Sequence, residues 1–239
     1  MSPSELIRTD VRQGYAAWAD SYDAYDNPMI AAVERFLDSR PLPFAGARVL
    51  DIGCGTGRVL ARAVGGGARS AVGIDGSSAM LVRAQERLTR QIAQGRVRLL
   101  QVDLEGDWPG VPADFDLAVI TLVLEHAASV APTIAQAARH IRPGGHLFVA
   151  EIHPDMLATG IGAHFERDGV TIALPSHVHD RAEFSAALAA AGFADCEFEE
   201  MRADQQTIAA IPKFAKRAGR GVLLAVNAMK GSGSFSQGG

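Results

Sequence analysis

A glycine-rich stretch, Val49-Leu-Asp-Ile-Gly-Cys-Gly-Thr-Gly57, decides the fold. Its apolar first half continues a run that begins at residue 47 and is typical of a buried strand, and the residues after it have the apolar spacing of a short helix. The glycines at positions 53, 55 and 57 therefore form a turn from a strand into a helix. Because glycine has no Cβ, such a turn lets the backbone come close to a bound ligand.

The same alternation of strand and helix continues on the C-terminal side of this turn. Further strands are predicted over residues 71–74, 97–102, 115–122 and 146–152, with helical stretches between them, and two final strands over 193–201 and 221–228. Strands joined through helices by short connections form a parallel sheet that is covered on both faces. We therefore predict an α/β fold with a doubly wound, Rossmann-like, mainly parallel seven-stranded sheet, helices on both faces and one antiparallel edge strand.

The chain is expected to form a single domain over residues 1–230, because 239 residues suit one sizeable core. Within it we expect an N-terminal helical lid (1–44), a ligand-binding core (45–152), an insertion that caps the substrate (153–178) and a C-terminal helix with strands (179–230). Leu6 and Ile7 are predicted to lie on the first helix, and a hairpin is predicted around Asp168-Gly169. The Gly- and Ser-rich tail, 231–239, is expected to be disordered.

Composition and charge narrow the class of partner. The net charge is −4, which argues against a broad nucleic-acid footprint or an anionic membrane surface and favours a small organic partner. Two cysteines, Cys54 and Cys196, cannot form a disulfide framework, and the first ten residues do not have the pattern of a secretory signal. We expect a cytoplasmic monomer or homodimer that binds neither nucleic acid nor membrane.

The spacing of the glycines argues against a dinucleotide. The dinucleotide fingerprint G-x-G-x-x-G requires a third glycine at position 58, where this chain has Arg58. A phosphate-binding P-loop is excluded as well, because no Gly-Lys-Ser/Thr follows the turn. An NAD(P)-dependent oxidoreductase is therefore kept only as an alternative.

Three aspartates lie at or near the carboxyl ends of the first three predicted strands of the sheet. Asp75 ends the second strand, where doubly wound proteins hold a ribose, and Asp103 with Leu104 follows the third, where they suit an adenine amino group and ring face. Asp51 precedes the glycine turn and could either orient the turn or contact the ligand directly. Three carboxylates beside one crevice suit a ligand that carries a positive charge.

Five motifs in this order carry a family resemblance: VLDIGCGTG (49–57), VGIDGSSAML (72–81), QVDLEGDW (101–108), FDLAVITLVLEH (115–126) and RPGGHLFVAE (142–151). They resemble those of class I S-adenosylmethionine-dependent methyltransferases, in particular the small-molecule subgroup that includes quinone-biosynthesis C-methyltransferases. The resemblance covers residues 45–152 strongly and 179–200 weakly.

The resemblance implies S-adenosylmethionine as the cofactor, S-adenosylhomocysteine as the product and no metal. It also implies a set of cofactor-binding residues. These are Gly53 and Gly55 at the methionine portion, Asp75 and its neighbour Gly76 at the ribose, Met80, Asp103 and Leu104 at the adenine, Thr121 near the sulfonium, and Tyr22 from the lid side, with Asp51 kept as a candidate.

Aromatic residues and histidines are unevenly placed along the chain. All three tyrosines and Trp18 lie within residues 15–25, which we call the aromatic segment, and all seven histidines lie within residues 126–179. We expect Tyr15 and Trp18 to line the substrate site, although helical spacing equally suits packing onto the domain. His126 is the candidate base, because imidazole is the side chain that ordinarily titrates near neutrality, and its alternative role is a helix-start residue hydrogen-bonded to the backbone. His153, His177 and His179 are further substrate candidates, and no ligand spacing supports a metal site among them.

We predict methyl transfer by in-line displacement to a nitrogen, oxygen or carbon of a small, planar heteroaromatic, phenolic or quinone-like metabolite. Only three of the 23 basic residues are lysine, which together with the abundance of alanine suggests a GC-rich bacterial gene and specialised metabolism. Besides the oxidoreductase, the alternative is a non-catalytic protein that binds S-adenosylmethionine.

Overall fold

The computed structural model describes residues 6–158 and 162–232. The strands are β1 (Leu6–Arg8), β2 (Arg48–Ile52), β3 (Ser70–Asp75), β4 (Val97–Gln101), β5 (Phe115–Thr121), β6 (Ile141–Ile152), β7 (His164–Arg167), β8 (Val170–Ala173), β9 (Phe193–Arg202) and β10 (Gly221–Lys230). The helices are α1 (Val11–Trp18), α2 (Pro28–Ser39), α3 (Arg58–Gly65), α4 (Ser78–Arg87), α5 (Thr89–Ala93), α6 (Ala131–His140), α7 (Pro154–Leu157), α8 (Arg181–Ala190) and α9 (Gln205–Ala210). Short 3₁₀ helices span Leu124–His126 and Pro212–Arg217.

The larger sheet has seven strands in the order β4-β3-β2-β5-β6-β10-β9, which confirms the predicted fold class. Strands β2 to β6 run parallel, and β10 is antiparallel to both of its neighbours, β6 and β9. The antiparallel strand thus lies one position in from the edge, which β9 forms. From β2 the chain moves outward to β3 and β4 and then returns to the other side of β2 with β5, so the strand order reverses there. Ligands of open α/β sheets bind at the carboxyl ends of the strands beside such a reversal.

The core consists of two apolar layers, one on each face of the large sheet. Alternate residues of β2 point to opposite faces, so that Val49 packs in the layer with Phe36 of α2 and Leu60 of α3. Its neighbour Leu50 packs in the other layer with Ile134 of α6. These residues are buried, and the sheet is covered by helices on both faces as the strand pattern predicts.

A second, three-stranded sheet contains β1, β8 and β7. Strands β7 and β8 form the predicted hairpin, whose turn places Asp168 and Gly169 at positive φ (53° and 78°), as a two-residue hairpin turn requires. The prediction of a helix over Leu6 and Ile7 is wrong, because these residues form β1 and pair with the free edge of β8. Helix α1 starts only at Val11, since the side chain of Asp10 caps it by accepting the Gln13 N–H at 2.9 Å.

Helix α1 packs closely against the hairpin. A Cβ at Gly14 would lie 2.8 Å from the Leu174 side chain, so the glycine permits the close approach. Trp18 is buried and stacks on Phe165 with ring centroids 4.8 Å apart. The N-terminal region and the hairpin thus form one small apolar cluster beside the main core.

Within the described ranges, 6–158 and 162–232, no helix has the length and apolar character needed to cross a membrane. The tail that is expected to be disordered lies outside these ranges from residue 233 onward.

Candidate active site

A cavity of about 250 Å³ opens at the carboxyl ends of β2, β3, β4 and β5, beside the reversal of strand order. Helix α1 and Tyr22 of the aromatic segment cover one side of it. The predicted site residues that line this cavity are Tyr15, Tyr22, Gly53, Gly55, Asp75, Gly76, Met80, Asp103, Leu104, Thr121 and His126. The fold therefore brings together residues that are separated by more than one hundred positions in the chain.

The glycine turn has the left-handed backbone that its sequence suggests. Gly53 and Gly55 have φ of 70° and 50°, a region that side chains other than glycine rarely adopt. A Cβ at Gly53 would lie 2.3 Å from Val123, so the turn after β5 packs directly on this glycine. A Cβ at Gly55 would meet nothing within 4 Å, and Gly55 lines the cavity. The backbone at Gly55 is thus open to a ligand.

Asp75 ties this turn to the end of β3. Its carboxylate accepts the Gly55 N–H at 2.8 Å and the Ser77 N–H at 2.8 Å. Burial raises the pKa of Asp75, and these two hydrogen bonds oppose the rise. Each carboxylate oxygen can accept more than one hydrogen bond, so Asp75 can hold the turn and still accept hydroxyl groups from a ligand.

Asp51 does not line the main cavity but a smaller adjoining one of about 60 Å³, which Gly53, Gly55 and Tyr22 also line. Its side chain is buried, and its Oδ2 atom has no hydrogen-bond partner among the described residues. Burial and the neighbouring Asp75 raise the pKa of Asp51 to about 8. Asp51 is therefore a buried acceptor beside the glycine turn.

His126 is held between the aromatic segment and the chain that follows the hairpin. Its Nδ1 lies 2.7 Å from the Pro175 carbonyl oxygen, and its Nε2 lies 2.8 Å from the Tyr15 hydroxyl. A carbonyl oxygen only accepts, so Nδ1 carries the proton and donates it, and Nε2 of the neutral ring accepts from Tyr15. Burial, with Tyr22 and Glu125 nearby, raises the pKa of Tyr15, which keeps the phenol protonated as the donor. Nε2 of His126 thus faces the Tyr15 hydroxyl, and both residues line the cavity.

The sequence pattern did not identify two buried glutamates behind the cavity, Glu125 and Glu151. Glu125 accepts a hydrogen bond from the Ser176 hydroxyl at 3.0 Å, and burial raises its pKa. Glu151 accepts the Val123 N–H at 2.9 Å. Both could have been suspected, because each is a lone carboxylate in or directly after an apolar strand motif, in LVLEH and in FVAEI.

The remaining predicted substrate residues lie elsewhere than expected. Trp18 is buried against Phe165 and does not line the cavity. His153 caps α7 by accepting the Asp155 N–H at 3.1 Å, and its ring packs against Gly221.

His177 is exposed, and its backbone N–H donates to the Glu125 carbonyl at 2.6 Å. The buried His179 donates from Nε2 to the carbonyls of Leu124 and Ala127 at 3.0 and 2.9 Å, and its Nδ1 lies 2.9 Å from Glu183. His177 and His179 therefore support the turn that carries His126 rather than lining the cavity.

No group of three or more His, Cys, Asp or Glu side chains suited to a metal ion occurs within residues 6–158 and 162–232.

Comparison with known proteins finds similar methyltransferases. A family model described as a methyltransferase domain matches residues 49–145. The ubiquinone biosynthesis O-methyltransferase of Thiobacillus denitrificans is 32% identical over 154 residues, 63% of this chain and 62% of that protein. Its counterpart from Ralstonia nicotianae is 33% identical over 156 residues, 64% of this chain and 62% of that protein. The chain thus matches less than two thirds of the length of these curated relatives.

A solved structure shows the same similarity. The S-adenosylmethionine-dependent methyltransferase from Mesorhizobium loti superposes with a TM-score of 0.64 at 26% identity, over 82% of this chain and 96% of that chain. The matched motifs and the shared sheet agree with the resemblance seen in the sequence. Residues 49–145 thus match a methyltransferase domain, and the chain as a whole is similar to S-adenosylmethionine-dependent methyltransferases, among them enzymes of quinone biosynthesis.

Proposed function

We propose that this protein transfers a methyl group from S-adenosylmethionine to a hydroxyl oxygen of a small, planar phenolic, heteroaromatic or quinone-like molecule. The contact between the Tyr15 hydroxyl and Nε2 of His126, at 2.8 Å, carries the proposal. In this contact Nε2 of His126 lies within hydrogen-bond distance of a phenolic hydroxyl, which supports a role as the base for an acceptor hydroxyl at this place in the cavity. The two curated relatives named above are O-methyltransferases, which favours oxygen over nitrogen or carbon as the acceptor atom.

The residues of the cavity fit the proposed cofactor. The open backbone at Gly55 would admit its methionine portion, Asp75 would accept the ribose hydroxyls, and the unpartnered Oδ2 of Asp51 would accept from the ammonium group. Met80, Asp103 and Leu104 would contact the adenine, with Gly76 beside the ribose, and Thr121 and Tyr22 would lie near the sulfonium. When bound, the cofactor supplies an electrophilic methyl group on a cationic sulfur, whose charge suits a crevice lined by carboxylates.

The acceptor hydroxyl would take the place of the Tyr15 hydroxyl and donate to Nε2 of His126. Transfer of the hydroxyl proton to Nε2 would convert His126 to an imidazolium, and its Nδ1–H would remain hydrogen-bonded to the Pro175 carbonyl. The neighbouring Glu125 is buried and stabilises that positive charge. The oxygen that has lost its proton is then the nucleophile, and in-line attack requires mainly that the chain hold it in position.

We further propose that the aromatic segment and the N-terminal helices act as a lid over this cavity, with residues 153–178 as the cap on the other side. Tyr15 and Tyr22 line the cavity from the lid, and Pro175 and Ser176 reach the His126 turn from the cap. Closure excludes water, which strengthens the attack of a desolvated oxygen. Trp18 supports the lid from behind through its stack on Phe165.

We also propose that the reaction takes place in the cytoplasm, which the free thiols of Cys54 and Cys196 support, and that the substrate is not a nucleic acid, which the net charge of −4 supports. The protein would act there on a free metabolite as a monomer or homodimer.

The test has two steps. Calorimetry should show binding of S-adenosylhomocysteine and no binding of NAD(H) or NADP(H). Binding of NAD(H) or NADP(H) without binding of S-adenosylhomocysteine would contradict the proposal. Transfer of a labelled methyl group is then measured to phenolic, amine and activated carbon acceptors, with phenols expected to react.

His126→Ala should abolish product while the affinity for S-adenosylhomocysteine is kept. His140→Ala is the matched control, because its ring stacks on Trp108 away from the cavity. Full turnover by His126→Ala would remove the base from the mechanism.

A further inference from the structure

The turn that carries His126 is held in a strained shape. Leu122 follows β5 with φ of 55°, a left-handed conformation that a leucine rarely adopts. Its N–H donates to the Ala150 carbonyl of β6 at 3.0 Å, and the next side chain, Val123, is pressed against Gly53. Thr121 and Leu122 line both the main cavity and the smaller one. The turn is therefore the common wall of the two cavities.

A buried carboxyl group on the neighbouring strand holds this turn. Glu151 directly follows Ala150, the last residue of β6 that pairs with β5, and it is 3% exposed. Its Oε1 accepts the Val123 N–H at 2.9 Å, directly after the strained Leu122. No partner for its Oε2 is found in residues 6–158 or 162–232. Burial raises the pKa of Glu151 to about 8, so near neutral pH the group acts mainly as an uncharged acceptor.

The position of Val123 is transmitted to His126 through the backbone. The His126 N–H donates to the Val123 carbonyl at 3.1 Å within the 3₁₀ turn. His179 holds the later part of the turn by hydrogen bonds to the carbonyls of Leu124 and Ala127. The Val123 N–H, at the start of the turn, is held by Glu151 instead. Without Glu151, the Val123 amide would lose its acceptor and Leu122 could relax to an ordinary conformation.

We propose that Glu151 is a positioning residue, which fixes the turn after β5 and thereby keeps His126 between Tyr15 and Pro175. It need not touch either reactant, since it acts through the Val123 amide. The significance of this role for catalysis rests on the proposed function, but the position of His126 can be measured without turnover.

The test uses the full chain with isotopically labelled histidine, saturated with S-adenosylhomocysteine. Imidazole ¹⁵N and ¹³C shifts distinguish the two neutral tautomers, and His126→Asn identifies the His126 signals. Wild type should show His126 with its proton on Nδ1. Glu151→Gln keeps an oxygen acceptor for Val123 and should show the same tautomer. Glu151→Leu removes the acceptor and Glu151→Asp withdraws it by one methylene, so both should shift the signals towards a mixture of tautomers.

Turnover with an acceptor from the methyl-transfer screen provides the second measurement. A misplaced base lowers kcat, and we expect a loss of roughly tenfold to a hundredfold in Glu151→Leu and Glu151→Asp, with little change in Glu151→Gln. If Glu151→Leu does not fold, the comparison of Asp with Gln still decides the question. Unchanged His126 signals in the Asp and Leu variants would overturn the proposal, as would a Gln variant that shifts as far as Leu. Failure of the proposed function is separate, because it appears as absent cofactor binding or as full turnover by His126→Ala.

Discussion

Replacing Asp23 with alanine is expected to loosen the aromatic segment from the core. The Asp23 carboxylate accepts the Thr56 hydroxyl at 3.0 Å and pairs with Arg58 at 3.4 Å and Arg87 at 2.5 Å. Thr56 and Arg58 flank the last glycine of the glycine turn, and Arg87 ends α4. Asp23 thus ties the proposed lid to the end of the glycine turn and to the end of α4.

The size of the effect follows from these three contacts. The Asp23, Arg58 and Arg87 side chains are each about one third exposed, so each ion pair contributes about 0.5 kcal/mol. The hydrogen bond from Thr56, whose residue is buried, contributes about 1 kcal/mol. Loss of about 2 kcal/mol from the closed state corresponds to a roughly 30-fold shift towards the open state. We expect S-adenosylhomocysteine to dissociate faster by a similar factor.

Tryptophan fluorescence can measure this opening directly. The chain has two tryptophans, and Trp108→Phe leaves Trp18, which stacks on Phe165 beneath the aromatic segment, as the reporter. Stopped-flow dilution of the protein loaded with S-adenosylhomocysteine, followed by Trp18 fluorescence, then gives the dissociation rate. Raising the ionic strength from ~0.1 M to ~1 M shortens the Debye length from about 10 Å to about 3 Å, so dissociation from the parent protein should accelerate. The Asp23→Ala variant should respond less to salt.

Asp20→Asn is the matched control. Asp20 lies in the same segment and pairs with Arg83, but its side chain is 86% exposed, so its loss should change the rate less than about twofold. An Asp23→Ala rate within about twofold of the parent would show that the contacts of Asp23 do not hold the segment closed. Equal acceleration by both variants would also refute the reasoning, because it would reflect net charge rather than the buried contact with Thr56.

Three further outcomes are expected. Asp75→Ala should weaken S-adenosylhomocysteine binding by ~1–3 kcal/mol in calorimetry, and Asp75→Asn should weaken it less because it keeps an oxygen acceptor; wild-type affinity in the alanine variant would contradict the ribose role. Burial raises the pKa of Asp51 to about 8, far above its value in the unfolded chain. Because the folded state therefore holds this proton more tightly, the free energy of unfolding should fall as the pH rises towards 8 and level off above it. Asp51→Asn should flatten that decline in thermal unfolding midpoints, and an equally steep decline would contradict the shift. Trp18→Ala should lower the free energy of unfolding by roughly 3–5 kcal/mol in urea titrations, whereas a loss below ~1 kcal/mol would contradict its packing against Phe165.

Local pattern predicted the sheet well but failed at its N-terminal edge. Strand and turn residues such as those from Val49 to Gly57 lie in a region where apolar run, glycine turn and helix signal agree, and the structure follows them. Leu6 and Ile7 fitted a helical face, yet they pair with β8, a strand more than 160 residues away. A free strand edge offers backbone partners that no local periodicity reveals.

The residues expected to line the substrate site were also predicted less well than the sheet, because their positions depend on contacts between distant parts of the chain. Proximity in sequence grouped His126 with His153, His177 and His179, but only His126 lines the cavity. The imidazoles of His153 and His179 bond to backbone groups or a carboxylate, as buried or half-buried imidazoles commonly do, whereas the exposed His177 contributes only its backbone N–H. Of the residues expected to line the substrate site, Tyr15 and His126 line the cavity, and they contact each other.

The sequence by itself determined the order of strands and helices, the glycine turn and the carboxylates that follow the strands, because each depends on residues that are neighbours along the chain. Only the tertiary structure decided which nitrogen of His126 is basic, since that depends on a carbonyl at Pro175 and a hydroxyl at Tyr15 that approach from opposite directions in the chain. It also decided that Glu151 holds the turn after β5, because hydrogen bonds between distant residues depend on distance and direction, which the linear pattern does not encode.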